Sequence, residues 1–111
     1  MYKKITPKER VTRVVNSQHS IDNYLTKETT ENISLAISKL NGELKLSKTP
    51  SERVYYFIKA NAEFNIEGEI VFVNDGDVLY IPSDTNYSVK GLFEAVTVNT
   101  PAFGVKRFRK V

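Results

Sequence analysis

Residues 51–82, SERVYYFIKANAEFNIEGEIVFVNDGDVLYIP, carry most of the information about the fold. They form a series of short runs rich in β-branched and aromatic residues, which favour strands. The runs are separated by Ala60-Asn61, Glu67-Gly68-Glu69 and Asn74-Asp75-Gly76-Asp77, which have the composition of turns. Short strands at this regular spacing are typical of a β-sandwich or a β-barrel. We therefore predict an all-β domain.

Strand patterns continue on both sides of this stretch. Apolar residues alternate with polar ones from Ile33 to Ile37, and residues 93–98 have the composition of a closing strand. Between them, Asn41-Gly42 has the sequence of a tight hairpin turn. We predict that the chain turns there and turns again at Ala60-Asn61.

The N-terminal segment allows two interpretations. Thr6-Pro7-Lys8-Glu9 has the form of a capping box with proline at the first helical position. The helical spacing of Val11, Val14 and Val15 extends this start to a short helix over residues 7–16. The same valines are β-branched, so a strand is the alternative.

The composition fits one compact domain and excludes several kinds of chemistry. The chain has 111 residues and no cysteine, which rules out disulfides, thiolate zinc sites and cysteine nucleophiles. Its apolar runs are too short for a membrane helix, and its charged N-terminus lacks the apolar core of a signal peptide. We therefore expect a cytoplasmic protein with no membrane partner.

Basic residues gather at the two ends of the chain, whose net charge is +3. In the tail, Phe103 and Phe108 interleave with basic residues at positions 106, 107, 109 and 110, a composition that suits nucleic-acid binding. The middle of the chain holds more acid than base. We therefore expect a solvated tail and no nucleic-acid partner.

The order of these strands and turns resembles the cupin family, whose members fold as double-stranded β-helix barrels of the jelly-roll type. Gly76 and Pro82 match the glycine and the proline of the second cupin motif, and Glu52 matches the glutamate of the first. The resemblance covers residues 32–103, so the fold it implies is a cupin-like barrel preceded by a short helix or arm.

The same resemblance implies a division of the chain into three parts. Residues 1–31 form an N-terminal arm that packs on the barrel. Residues 32–104 form the barrel itself. Residues 105–111 form the basic C-terminal tail.

The positions that hold the metal in cupins carry other residues here. A cupin metal is held by three histidines and a glutamate. With Glu52 aligned, two histidine positions fall on Leu46 and Lys48, and the second motif places the third on Tyr87. One carboxylate cannot hold a transition metal, and the ammonium group of Lys48 would repel one. We therefore expect no metal and no other cofactor.

Metal-free enzymes of this fold, such as sugar-nucleotide epimerases, use a histidine base. The single histidine of this chain, His19, lies outside the cupin segment among polar neighbours, and we expect it on the surface. General base catalysis would then fall to a buried Glu52. The sequence leaves open whether the protein is an enzyme.

Strand alternation predicts the residues of a ligand site. Glu52 and Tyr56 share one face of their strand, and the cupin comparison makes that face the interior. Lys48 points to the same side and would neutralise a buried Glu52, while Tyr87 would donate a hydrogen bond from the opposing strand. We therefore predict a ligand site formed by Lys48, Glu52, Tyr56 and Tyr87. The alternative places Lys48 and Glu52 in solvent and makes Tyr87 ordinary packing.

Three classes of function remain. The first is a metal-free module that binds a polar or carbohydrate-like metabolite in the barrel. The second is an isomerase or epimerase acting on sugars or other small metabolites, and the third is a structural or partner-binding dimer. We also predict a homodimer, because small cupins pair through sheet edges and N-terminal segments. Apolar residues near the N-terminus, such as Ile5, Val11 and Val14, need a surface to cover them.

Overall fold

The computed structural model describes residues 2–105, and within them the protein is nearly all β. A single 3₁₀ turn, Pro7–Glu9, precedes seven strands. These are β1 (Val11–Asn16), β2 (His19–Leu25), β3 (Ser34–Leu46), β4 (Glu52–Ile66), β5 (Glu69–Asn74), β6 (Val78–Ile81) and β7 (Tyr87–Thr100). Within this part of the chain no helix has the length and apolar character needed to cross a bilayer. The prediction of an all-β domain is confirmed.

All strands belong to one antiparallel sheet in the order β1-β2-β3-β7-β4-β5, with β6 also paired to β4. The path has two ends among the described residues, at β1 and at β5. The predicted barrel is therefore a curved sheet that wraps around its interior without closing its hydrogen bonds into a cylinder.

The three central strands are long because two predicted turns are absent. β3 has 13 residues, β4 has 15 and β7 has 14, so the chain does not turn back at Asn41-Gly42 or at Ala60-Asn61. Gly42 pairs with Gly91, and β4 has a bulge between Phe57 and Lys59. A Cβ atom on Gly91 would lie 2.5 Å from the Asn61 carbonyl oxygen, so only glycine fits there. Glycines and bulges allow strands to bend where the sequence pattern predicts a break.

These bends fold the sheet over onto itself. Tyr87 and Thr97 are both on β7, and a flat strand would separate them by about 33 Å. Tyr55 is the cross-strand partner of Thr97, yet its hydroxyl oxygen lies 2.7 Å from that of Tyr87. The first and last parts of the long strands therefore face each other across the interior.

The interior face of β4 is the opposite of the one predicted. Arg53, Tyr55 and Phe57 are buried, whereas Glu52, Tyr56 and Ile58 are exposed. After the bulge the inward positions change from odd to even numbers, beginning with Ala60. The prediction was wrong because both faces of VYYFI are apolar, so alternation alone cannot say which face is buried.

The N-terminal helix prediction is wrong apart from its first turn. Glu9 accepts a hydrogen bond from the Thr6 amide, as a capping box requires, at 3.2 Å. The chain then continues as the exposed edge strand β1, and β2 pairs with β3, so residues 11–25 are part of the sheet. The strand alternative is confirmed. The predicted basic tail comprises residues 105–111, and all of it after Val105 lies outside the described residues.

Candidate functional site

A cavity of about 390 Å³ opens on the concave side of the sheet. It is lined by residues of β1, β2 and β3, and also by Arg53 and Tyr55 of β4 and Phe93 of β7. Its volume falls in the range of small-molecule sites, and it combines an apolar lining with a few polar groups, as such sites do. The charged and titratable groups that line it are Arg13, His19, Lys27, Glu28, Arg53 and Tyr55.

Arg53 is the most deeply placed charge in this cavity, with 7% of its surface exposed. Its Nε donates to Asn99 Oδ1 at 2.6 Å, and its Nη1 donates to the Tyr87 hydroxyl at 2.6 Å. Arg53 and Asn99 are direct cross-strand partners on β4 and β7, which fixes the first of these bonds. A guanidinium has five N–H donors, so donors remain for another group.

Among the described residues, no carboxylate forms an ion pair with Arg53. The two ion pairs found within residues 2–105 join Arg10 to Asp22 and Lys90 to Glu63. Burial lowers the pKa of Arg53 and the phenols of Tyr55 and Tyr87 raise it; the net direction is upward, so the guanidinium stays charged. A buried cation held by neutral groups alone is costly to a folded protein.

Two phenols extend the polar cluster around Arg53. The hydroxyl oxygens of Tyr55 and Tyr87 lie 2.7 Å apart. Burial raises the pKa of Tyr87, and the nearby phenol of Tyr55 adds to the effect, so Tyr87 is protonated at neutral pH. One of the two hydroxyl hydrogens makes the bond between the phenols, which leaves the other free to donate.

Phe103 stands beside two guanidinium groups of the cavity. The guanidinium carbons of Arg13 and Arg53 each lie 5.9 Å from the centre of its ring. Cations are attracted to the faces of aromatic rings at such distances. The Phe103 amide donates to Ser34 Oγ at 2.8 Å, which fixes the backbone of Phe103 at the wall of the cavity.

His19 is buried, which corrects the prediction that it lies on the surface. Only 8% of its surface is exposed, and its Nδ1 has no hydrogen-bond partner among the described residues. Burial lowers the pKa of His19, and the charge of Arg13 lowers it further, so the imidazole is neutral at neutral pH. The prediction was wrong because the polar neighbours of His19 belong to the same strand, β2, and alternate residues of that strand face inward.

The four predicted ligand residues do not come together. Tyr87 is buried beside Arg53, but Lys48, Glu52 and Tyr56 are exposed. Glu52 accepts a hydrogen bond from the Tyr80 hydroxyl on the outer surface, and the Lys48 amide donates to Asn86 Oδ1 at 2.8 Å. The Lys48–Glu52 pair expected inside the barrel is therefore wrong, and the alternative that placed both residues in solvent is correct.

The placement of Glu52 also changes the comparison with metal-binding cupins. Leu46 and Tyr87 are cross-strand partners that face inward, as the motif implies, but Glu52 and Lys48 face outward. Within residues 2–105 there is no group of three or more His, Cys, Asp or Glu side chains that could hold a metal ion. Arg53, one residue after Glu52, occupies the interior instead.

Sequence reasoning missed Arg53, Tyr55 and Asn99. The available signal was Arg53 itself, a charged residue in register with two aromatic residues on one strand face, Tyr55 and Phe57. A charge in such a row is either at the end of a buried face or part of a site. Asn99 gave no signal, because its role depends on the pairing of β4 with β7.

Comparison with solved structures identifies the fold as a cupin fold. Streptomyces Pac13 with uridine superposes with a TM-score of 0.81 at 18% identity, covering 99% of this chain and 95% of that one. Another structure of Pac13 describes it as a nucleoside dehydratase. KdgF from Halomonas sp. has a TM-score of 0.77 at 14% identity, with 94% of this chain and 97% of that chain covered.

Ectoine synthase from P. lautus is a further structural neighbour. It has a TM-score of 0.73 at 14% identity and covers 81% of this chain and 69% of its own. The sequence matches no protein-family model and no sequence among the curated proteins. At these identities the likeness establishes the fold, whereas the chemistry has to be argued from the site.

Proposed function

We propose that this protein is a metal-free cupin-fold module that binds a small polar metabolite in the cavity lined by Arg53 and Tyr55. The observation that carries the proposal is the buried cluster of Arg53, Tyr55, Tyr87 and Asn99, which keeps spare hydrogen-bond donors beside a cavity of about 390 Å³. Donors that the protein itself does not satisfy are available to a ligand in the cavity.

The known proteins of this fold support a small-molecule role. The neighbours include a nucleoside dehydratase, a structure containing uridine and an ectoine synthase, all of which act on or bind small polar compounds by name. A cavity of this size suits a ligand as large as a sugar or a nucleoside. The binding role needs no metal, because the cluster that we assign to the ligand contains only nitrogen and hydroxyl donors and an amide.

An enzyme is the second candidate, favoured by one observation. The coupled phenols of Tyr55 and Tyr87 and the buried, neutral imidazole of His19 belong to the same interior. Phenol and imidazole groups are common general acids and bases. The reaction that such groups support is a proton transfer on a bound metabolite, as in an isomerase, an epimerase or a dehydratase.

Neighbouring tyrosines of β4 provide a matched test. A panel of sugars, nucleosides, sugar phosphates and hydroxy acids is screened by thermal unfolding; a ligand at a hundred times its Kd adds about 2.7 kcal/mol of stability. Tyr55→Phe should weaken binding about tenfold, since it removes a buried donor. Tyr56→Phe, on the outer face, should leave binding unchanged. Weakening by Tyr56→Phe alone would place the ligand outside the cavity and refute the proposal.

The enzyme candidate is tested on the same samples. Each stabilising compound is incubated with the protein in D2O and followed by proton NMR for loss of a C–H signal or formation of a product. Turnover that disappears in Tyr55→Phe and persists with a chelator supports a metal-free enzyme. Binding without turnover supports the module.

A further inference from the structure

We infer that the ligand of this cavity carries an anionic group, a carboxylate or a phosphate, that is seated on the guanidinium of Arg53. This inference rests on the proposed small-molecule function and specifies the chemistry of the ligand. Arg53 is a buried cation that no carboxylate of the described residues neutralises. An anionic ligand would supply the missing charge.

The hydrogen bonds of Arg53 show which of its N–H donors are already bonded within the protein. Nε is bonded to Asn99, one hydrogen of Nη1 is bonded to Tyr87, and the Tyr55 phenol also interacts with the guanidinium, so these three partners do not occupy all five N–H groups. Asn99 and Tyr87 thus hold the guanidinium plane in place without neutralising it. A guanidinium held in this way matches the two oxygen atoms of a carboxylate or phosphate.

The rest of the cavity has the same sign of charge. Arg13 and Lys27 also line it, against one carboxylate from the described part of the chain, that of Glu28. Phe103 contacts the guanidinium groups of both Arg13 and Arg53, which places the two cations on the same part of the lining. A concave site whose charged groups are mainly cations concentrates anions.

Related compounds with and without an anionic group test the inference. The probes are glucose, glucuronate and glucose 6-phosphate, together with uridine and uridine 5′-monophosphate. We expect the anionic member of each set to bind about tenfold to a hundredfold tighter than the neutral one, as measured by calorimetry. The carboxylate and phosphate arms distinguish the two kinds of anion.

Variants assign the preference to Arg53. Arg53→Met should abolish the difference between neutral and anionic probes, and Arg53→Lys should retain part of it. The control is Arg10→Met, because Arg10 is an exposed arginine whose side chain interacts with Asp22 and does not line the cavity. A preference that survives Arg53→Met, or that is lost equally in Arg10→Met, would overturn the inference.

The outcomes separate this inference from the proposed function. Binding of the neutral probes without preference for the anionic ones leaves the proposed function standing and refutes the anionic ligand. Absence of binding by every probe counts against both. The Nε–H signal of Arg53 in a 15N spectrum gives a second readout, since a seated anion should shift it.

The homodimer predicted from the sequence stays a proposal, and we infer that its two copies pair through the outer face of the sheet instead of through sheet edges and N-terminal segments. Two cross-strand rows of apolar residues run over β3, β7, β4 and β6 on the side away from the cavity. The first row is Ile37, Val96, Tyr56 and Val78, and the second is Leu35, Val98, Val54 and Tyr80. Tyr56, Val78 and Tyr80 are 48%, 64% and 53% exposed.

The charges beside these rows favour a second copy as the partner. On β4, Glu52 lies beyond the second row and Lys59 lies beyond the first. Lys59 pairs across strands with Glu94, and Glu94 also pairs with Lys39. A two-fold axis parallel to the rows and midway between them would pack the apolar rows of the two copies together. The same axis would place Glu52 of each copy over Lys59 of the other, which gives two ion pairs.

Light scattering tests this pairing. We expect a mass near twice 12.6 kDa at micromolar concentration. Val78→Lys should give the monomer mass, whereas Phe72→Lys, an equally exposed site on β5 outside the rows, should leave the dimer intact. Circular dichroism is used to check that both variants are folded. A wild-type mass of 12.6 kDa would overturn the proposal.

A charge exchange tests the geometry. Glu52→Lys and Lys59→Glu should each weaken the dimer, and the double variant should restore it. If the dimer persists in Val78→Lys, the proposed face is wrong and the copies pair elsewhere; the exposed edge strand β1, with Val11 and Val14 at 66% and 70% exposure, is then the next surface to test.

Discussion

Phe57→Ala is expected to lower the free energy of unfolding by about 3–5 kcal/mol. The Phe57 side chain is fully buried at the centre of an aromatic cluster. Its ring centre lies 5.5 Å from that of Tyr55, 5.8 Å from that of Phe64 and 5.6 Å from that of Phe93. Alanine would leave a cavity that three large rings cannot fill without moving.

The matched control for this prediction is Phe72→Ala. Phe72 lies on the outer face of β5 and is 70% exposed, so its loss should change the free energy of unfolding by about 0.5 kcal/mol or less. Both values are measured by urea denaturation at equilibrium. Since single domains are stable by about 5–15 kcal/mol in total, Phe57→Ala removes a large share. Equal effects of the two substitutions would contradict the assignment of the interior.

Arg53→Met is expected to raise the free energy of unfolding of the ligand-free protein by about 1–3 kcal/mol. Methionine fills a similar volume and removes the cost of burying a charge that no carboxylate of the described residues neutralises. Asn99 loses a donor but lines the cavity, which water can enter, and the Tyr87 hydroxyl keeps its bond to Tyr55. If the Arg53→Met variant is more stable but no longer binds the ligand, Arg53 serves binding and not folding.

Urea denaturation without ligand measures this effect, and Arg53→Lys is the control. Lysine keeps the charge but cannot reproduce the bonds to Asn99 and Tyr87, so that variant should be less stable than the wild type. If Arg53→Met also unfolds more easily than the wild type, the guanidinium is a structural part of the core, and the ligand proposal loses its main argument.

The sequence was sufficient for the fold class and for the turns formed by local chemistry. Glu67 and Gly68 adopt positive φ between β4 and β5, as their composition indicates, and the segment around Gly76 turns between β5 and β6. These turns depend on the backbone freedom of a few neighbouring residues, which a sequence displays directly. The order of the elements was also sufficient for the cupin resemblance.

Local patterns failed where two distant segments decide the outcome. Asn41-Gly42 has the sequence of a turn, but the pairing of Gly42 with Gly91 across β3 and β7 makes it a bend within one strand. Tyr55 and Tyr56 are the same residue type and have the same intrinsic preference for burial, yet Tyr55 is buried and Tyr56 is exposed. The bulge between Phe57 and Lys59 shifts the buried positions of β4 from odd-numbered to even-numbered residues. The alternation pattern of one strand does not show where such a bulge occurs.

The candidate site shows the same division. The absence of cysteine excluded thiolate chemistry from the sequence alone, and the cupin comparison placed Tyr87 in the interior. The folded sheet was needed to show that Arg53 lies inside where Glu52 was expected, that Asn99 and Tyr87 hold it, and that His19 is buried. The two faces of these strands have similar polarity, so the free energy of packing the whole sheet selects the face that is buried.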